Sequence, residues 1–155
     1  MVAGLDRRSL LAGLAASAFA SGVRAETLPE IRVTKDPSCG CCEAWVEHVR
    51  AAGFPASVSE APVNPLKVKL GVPRDLASCH TAQVAGYVLE GHVPADAIRR
   101  LLREQPKATG LAVPGMPVGS PGMEVEGSEP ETYQVVLFGP GGRRVFATYR
   151  GAKAA

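Results

Sequence analysis

Cys39, Cys41 and Cys42 fall within four positions, at the head of the stretch KDPSCGCCEAWVEHVRAAGF. The fourth cysteine, Cys79, stands beside His80, and a Gly/Pro-rich run, GMPVGSPGM, adds Met116 and Met123. Crowded thiols cross-link a fold poorly. Adjacent cysteines bridge only with strain, and Cys39–Cys41 would close a tiny ring. A Cys39–Cys42 bridge is feasible, because C-x-x-C is the redox-motif spacing; it leaves Cys41 free or in reach of Cys79. Thiolates are nucleophiles and soft metal ligands. Two chemistries therefore compete: disulfide exchange through Cys39 and Cys42, and soft-metal binding through all three. Exchange needs two thiols, and a third beside them would scramble the disulfide, whereas metal binding gains from it. Cysteine, methionine and histidine together select Cu(I) over hard cations, while zinc has little use for thioethers. The candidate metal ligands are therefore Cys39, Cys41, Cys42, Cys79, His80, Met116 and Met123, and bridging thiolates could hold a multinuclear Cu(I) cluster. His48 lies about 10 Å down a helix axis from Cys41 and reads as structural. His92 precedes a helix and reads as a capping group, and Trp45 reads as core.

The elements that must position these residues follow from periodicity. IRVTK (31–35) reads as a strand and DPSCGCC as a turn. Cys42, Trp45, Val46, Val49 and Ala52 form one apolar stripe of a helix over 41–52, stopped by Gly53. PASVSE reads as a second strand, completing a β-α-β unit. Between strand end and helix N-terminus, the clustered thiols meet free backbone N–H groups and the positive end of the helix dipole, which favours thiolate. NPLKVKLG reads as a short helix ended by Gly71, and TAQVAGYVLEG as a strand or hairpin. PADAIRRLLREQ reads as a helix burying Ala97, Ile98, Leu101 and Leu102, with Arg99, Arg100 and Arg103 on a solvated face. TGLAVPGMPVGSPGMEVEG is a long loop. YQVVLF and RRVFATYR flank GPGG as a terminal β-hairpin, and GAKAA reads as a loose tail.

The N-terminus indicates export. Arg7 and Arg8 precede LLAGLAASAFASG, an apolar run too short to span a bilayer, and Val23 and Ala25 stand in an A-x-A-like position. Residues 1–25 are expected to be a cleaved signal, and Arg7-Arg8-Ser9-Leu10-Leu11 reads as a twin-arginine type, with a Sec signal as the alternative. Removing the three arginines and one aspartate of that segment from 17 basic and 15 acidic residues leaves 14 of each. A near-neutral chain without a basic stripe excludes nucleic acid as a partner. Residues 26–155 suit one soluble, periplasmic or otherwise exported domain with no membrane span.

KDPSCGCCEAWVEHVRAAGF, SCHTAQVAGYVLEGHVPADAIRRLL and GLAVPGMPVGSPGME together resemble the signature blocks of the family catalogued as domain of unknown function 411. It comprises small exported bacterial metal-binding proteins, the CopG-type copper-resistance proteins among them. The resemblance covers Ile31 to Tyr149. It implies a single thioredoxin-like α/β domain, with a central mixed sheet, flanking helices and the C-terminal hairpin. It also implies copper at the cysteine motif and exported copper-handling proteins as partners. A thioredoxin-like arrangement further implies that Met116–Pro117 is the cis-proline loop opposite the cysteines. The expected function is an exported Cu(I)-binding protein in copper handling or resistance. The alternatives are a thiol–disulfide or copper oxidoreductase using the same cysteines, and a structural zinc-binding interaction module. If export is by the twin-arginine route, changing Arg7 and Arg8 to lysine should leave the precursor in the cytoplasm. Fractionation and immunoblotting check this, and normal export of the double variant would leave the Sec route.

Overall fold

A computed structural model describes residues 27–155; the expected signal segment lies outside the described residues. The chain runs β1 (Ile31–Lys35), α1 (Gly40–Ala51), β2 (Ala56–Glu60), α2 (Val63–Lys69), a 3-10 turn (Arg74–Leu76), β3 (His80–Val84) and β4 (Tyr87–Glu90). It continues with α3 (Ala95–Glu104), β5 (Gly110–Ala112), β6 (Thr132–Gly139), β7 (Gly142–Arg150) and β8 (Lys153–Ala154). The strands form one mixed sheet in the order β2-β1-β3-β4-β5-β6-β7-β8. The pairs β1–β2 and β4–β5 are parallel and the rest antiparallel. The order β2-β1-β3-β4 is compatible with the thioredoxin-like arrangement.

Local chemistry explains the elements. Cys39 is extended at the N-cap of α1, with Glu43 in the first turn and Arg50 in the last, each charge on the side the helix dipole favours. The helix ends where Gly53 takes φ +89°, a conformation that costs glycine little. Ala85 and Gly86 both have positive φ, as the tight two-residue turn between β3 and β4 demands. α1 and α3 share one face of the sheet, burying Trp45, Val49, Ile98 and Leu101 against Ile31 and Leu89. A smaller cluster of Val72, Leu76, Val88, Ala112 and Phe138 fills the other face, beside α2.

Four expectations need correction. The long Gly/Pro loop contains β5, whose register places Gly110 opposite Val88 and Phe138; a Cβ at Gly110 would overlap the Val88 carbonyl. The tail is not loose, because Lys153 and Ala154 pair with Arg150 and Tyr149. The helix α3 does not present its arginines wholly to solvent. Arg99 bonds the Ala52 carbonyl and lies 5.3 Å from the Phe54 ring centroid, and Arg100 lies 4.1 Å from that of Phe146. Long guanidinium side chains cover apolar surface while keeping their charge. The Met116–Pro117 peptide is trans, like every other peptide of the described residues. The loop leading into a strand opposite the cysteines is instead 77–79, ahead of β3.

α3 starts at Pro94–Ala95 without a side-chain cap of its own. His48 supplies one from α1: its Nε2 accepts the Ala95 N–H at 3.1 Å. An accepting nitrogen must be unprotonated, and burial pushes the His48 pKa below its ordinary value. The unfolded ring takes up a proton near pH 6.5 while the folded ring resists it. The unfolded state therefore binds more protons below that pH, and stability falls as pH is lowered. His48→Ala should cost about 1 kcal/mol at neutral pH, the usual value of a cap. It should also shrink the stability lost between about pH 7.5 and about pH 5.5. Urea unfolding of both proteins at the two pH values measures this.

Candidate metal centre

The β1–α1 turn and the loop before β3 bring four cysteines together. The Sγ atoms of Cys39, Cys41, Cys42 and Cys79 all lie within 4.8 Å of one another. Cys39 and Cys42 are joined as a disulfide; Cys41 and Cys79 are free thiols. Cys41 Sγ stands 3.6 Å from Cys39 Sγ. Of the four, Cys42 is fully buried, at the top of the apolar stripe of α1.

A second group shares Cys79. Its thiol lies 3.2 Å from His80 Nδ1 and 3.0 Å from His92 Nε2, and these three ligand atoms also lie within 4.8 Å of one another. His92 Nδ1 is 2.8 Å from the Pro121 carbonyl. A carbonyl can only accept, so Nδ1 carries the proton and Nε2 offers its lone pair toward Cys79. Both imidazoles are fully buried. Burial lowers both pKa values, that of His80 well below the usual range, with the neighbouring His92 and Lys67 adding to the effect. Burial, then the nearby Cys41, pushes Cys79 up to about 12. Loading a metal on Cys79 must therefore displace a firmly held proton.

Trp45 gathers these segments. Its indole Nε1 donates to the Val93 carbonyl at 2.9 Å, fixing the residue after His92. Its ring lies 4.4 Å from the His80 ring, centroid to centroid, and His80 meets His92 edge to face at 5.1 Å. Its backbone N–H side is covered by Gly122, where a Cβ would stand 2.6 Å from Trp45 N and 3.0 Å from Cys41 O. Only glycine lets the Gly/Pro loop pass so close to the first turns of α1.

Cys39, Cys41, Cys42 and Cys79 thus form one group, and His80 adjoins it through Cys79. The loop carrying Met116 and Met123 reaches the same end of the sheet through its backbone. Pro121 accepts from His92, Gly115 N–H donates to Ala77 O at 3.4 Å, and Ser78 Oγ donates to Gly115 O. Met116 is 52% exposed and Met123 half-buried. His92, expected to cap a helix, instead joins Cys79 and His80. The capping role expected of it belongs to His48, and EGHVPAD carries no local pattern that marks a ligand. The cue is distant: the Pro121 carbonyl of the Gly/Pro loop, which accepts from the His92 ring.

Residues 76–123 match the family described as "Protein of unknown function, DUF411". Two solved structures, titled "Copper resistance protein copG", Form 1 and Form 2, align along nearly their whole length. The first is 44% identical, covers 80% of this chain and 99% of its own, and superposes with a TM-score of 0.73. The second is 45% identical over 79% of this chain and 98% of its own, again with a TM-score of 0.73. The chain belongs to the DUF411, CopG-type family. No curated protein sequence matches it significantly. The stretch matching DUF411 holds Cys79, His80, His92 and both loop methionines, while the other three cysteines precede it. Among the described residues of this DUF411 protein, no helix is long and apolar enough to cross a membrane.

Gly122 has φ +84°, and an added methyl group would meet α1 backbone. Gly122→Ala should cost about 1–3 kcal/mol, the usual range for a side chain forced into such a conformation. Thermal denaturation should show a lower midpoint, and a parent-like midpoint would mean that the loop does not depend on this contact.

Proposed function

We propose that this protein is an exported Cu(I)-binding protein of copper handling or resistance. The observation that carries the reading is the convergence of four cysteine sulfurs within 4.8 Å, one of them shared with two buried imidazoles. The donor set fits a soft ion: four sulfurs and two nitrogens, with no carboxylate in either group. Among the described residues the buried Nε2 of His80 has no hydrogen-bond partner; the ring packs against Trp45 and turns Nδ1 toward Cys79. The likeness to two copper resistance proteins supports copper as the metal. The basic and apolar N-terminal segment supports export, and other exported copper-handling proteins are the expected partners.

In this reading Cys39, Cys41, Cys42 and Cys79 hold the ion or ions as thiolates. His80 and His92 supply imidazole nitrogen at one end, and Met116 and Met123 supply thioethers from the loop. Cys39 and Cys42 must first be reduced. A dithiol reductant would give up two electrons and two protons, breaking the S–S bond and leaving two thiols. The loops before β3 and around Gly122 hold the receiving groups in place, so the ion meets an assembled site.

The Cys39–Cys42 disulfide, in reach of two free thiols, favours the oxidoreductase reading as the second choice. Two Cu(I) ions oxidised to Cu(II) would supply the two electrons, and solvent the two protons, that break the S–S bond and leave two thiols.

Anaerobic titration of the reduced mature protein with Cu(I), against a chromophoric chelator, separates the two. The expected outcome is more than one Cu(I) per chain with proton release, because a thiolate can bridge two ions. Cys41→Ser should lower stoichiometry and affinity while Cys39 and Cys42 still form a disulfide. Met123→Leu should weaken binding less, since a thioether carries no charge. An end point at one ion, or a Cys41→Ser variant that binds like the parent, sinks the cluster reading and moves the oxidoreductase ahead.

A further inference from the structure

On the face of the sheet opposite His80, a closed set of hydrogen bonds lies under the Cys79 loop. Successive strand residues point to opposite faces, so β3 sends His80 toward Trp45 and Thr81 toward α2. There Lys67 Nζ donates to Glu90 Oε1 at 2.5 Å and to Thr81 Oγ1 at 2.9 Å, and Thr81 Oγ1 donates to Glu90 Oε2 at 2.7 Å. Glu90 and Thr81 are fully buried and Lys67 nearly so. The oxygen that takes Lys67 also accepts the backbone N–H of Ser78 at 2.6 Å. Ser78 precedes Cys79. On its other side, Ser78 Oγ donates to Gly115 O, and Gly91 leaves it room: a Cβ at Gly91 would stand 2.5 Å from Ser78 Cβ.

A buried ion pair is weak evidence for a stabilising role, because apolar residues of similar volume often serve as well. An apolar pair could not accept the Ser78 N–H. The carboxylate does so only while its remaining lone pairs are met, which is what Lys67 and Thr81 provide.

We propose that Glu90, fixed by Lys67 and Thr81, is a positioning residue for the metal centre. Through the Ser78 backbone it sets where Cys79 Sγ stands relative to Cys39, Cys42 and His92. Its functional value rests on the Cu(I) reading, but the placement of Cys79 belongs to the metal-free chain as well.

Two double variants test this. Lys67→Met with Glu90→Leu removes both charges and the acceptor for Ser78. Lys67→Met with Glu90→Gln removes the charges but keeps a carbonyl for Ser78 and an amide donor for Thr81. The readouts are the iodoacetamide alkylation rate of Cys79 in reduced, metal-free protein, resolved by mass spectrometry, and Cu(I) affinity against a chelator. In the leucine variant, Cys79 alkylation should rise about tenfold and Cu(I) binding weaken about 10–100-fold, the usual effect of losing a group that orients a ligand. Cys39 and Cys42 should alkylate as in the parent. The glutamine variant should return both readouts toward parental values. A folded leucine variant with parental Cys79 reactivity and affinity overturns the proposal, as does a glutamine variant no closer to the parent than the leucine one. If the leucine variant does not fold, Thr81→Val decides: it removes one donor to the carboxylate, and unchanged Cys79 alkylation there overturns the proposal too. A parent that takes up no Cu(I) would sink the metal reading alone, because the alkylation arm uses no metal.

Discussion

The pleat at the start of β3 is the constraint on which the site depends. One residue apart, His80 turns into the α1 face and Thr81 into the α2 face. Cys79, just ahead of them, is left at the sheet's end, opposite the N-terminus of α1. The antiparallel register of β1 with β3, Lys35 against His80, sets the distance across that gap. Slipping this pairing by one residue would exchange the two faces. His80 would enter the polar network, and the thiol would lose the other three.

The two faces do different work. On the α1 side the contacts are aromatic and apolar: indole on imidazole, then imidazole on imidazole, with the Gly/Pro loop closing over them. Their effect is to exclude water and keep both histidines neutral. On the α2 side the contacts are ionic and fully hydrogen-bonded. One face therefore controls the chemistry of the donors and the other the position of the loop that carries one of them.

Much of this was legible in residue pattern. The apolar stripe Cys42, Trp45, Val46 and Val49 identified α1 and the core side of the cysteine helix, because periodicity is a local signal. The convergence of Cys79 and His80 on the cysteines followed from residue type together with family resemblance. What escaped has a common cause in pairing over long distances. β5 is three residues long and exists only because Val88 and Phe138 flank it. The tail becomes a strand only because β7 offers it an edge. His92 needed Pro121, 29 residues on, to orient its ring. Met116–Pro117 was assigned by analogy of a proline before a strand, but the segment ahead of β3 already occupies the place opposite the cysteines, so nothing in the fold calls for a cis bond there.

The indole of Trp45 has one more consequence. It is the chain's single tryptophan, fully buried and packed at a tilt against an imidazole that touches Cys79. The tryptophan fluorescence of the folded protein therefore originates within the site itself. Any change in the redox state or occupancy of the neighbouring thiols occurs beside the only indole fluorophore. The molecule carries its own optical reporter, and its emission can be followed in real time without a label.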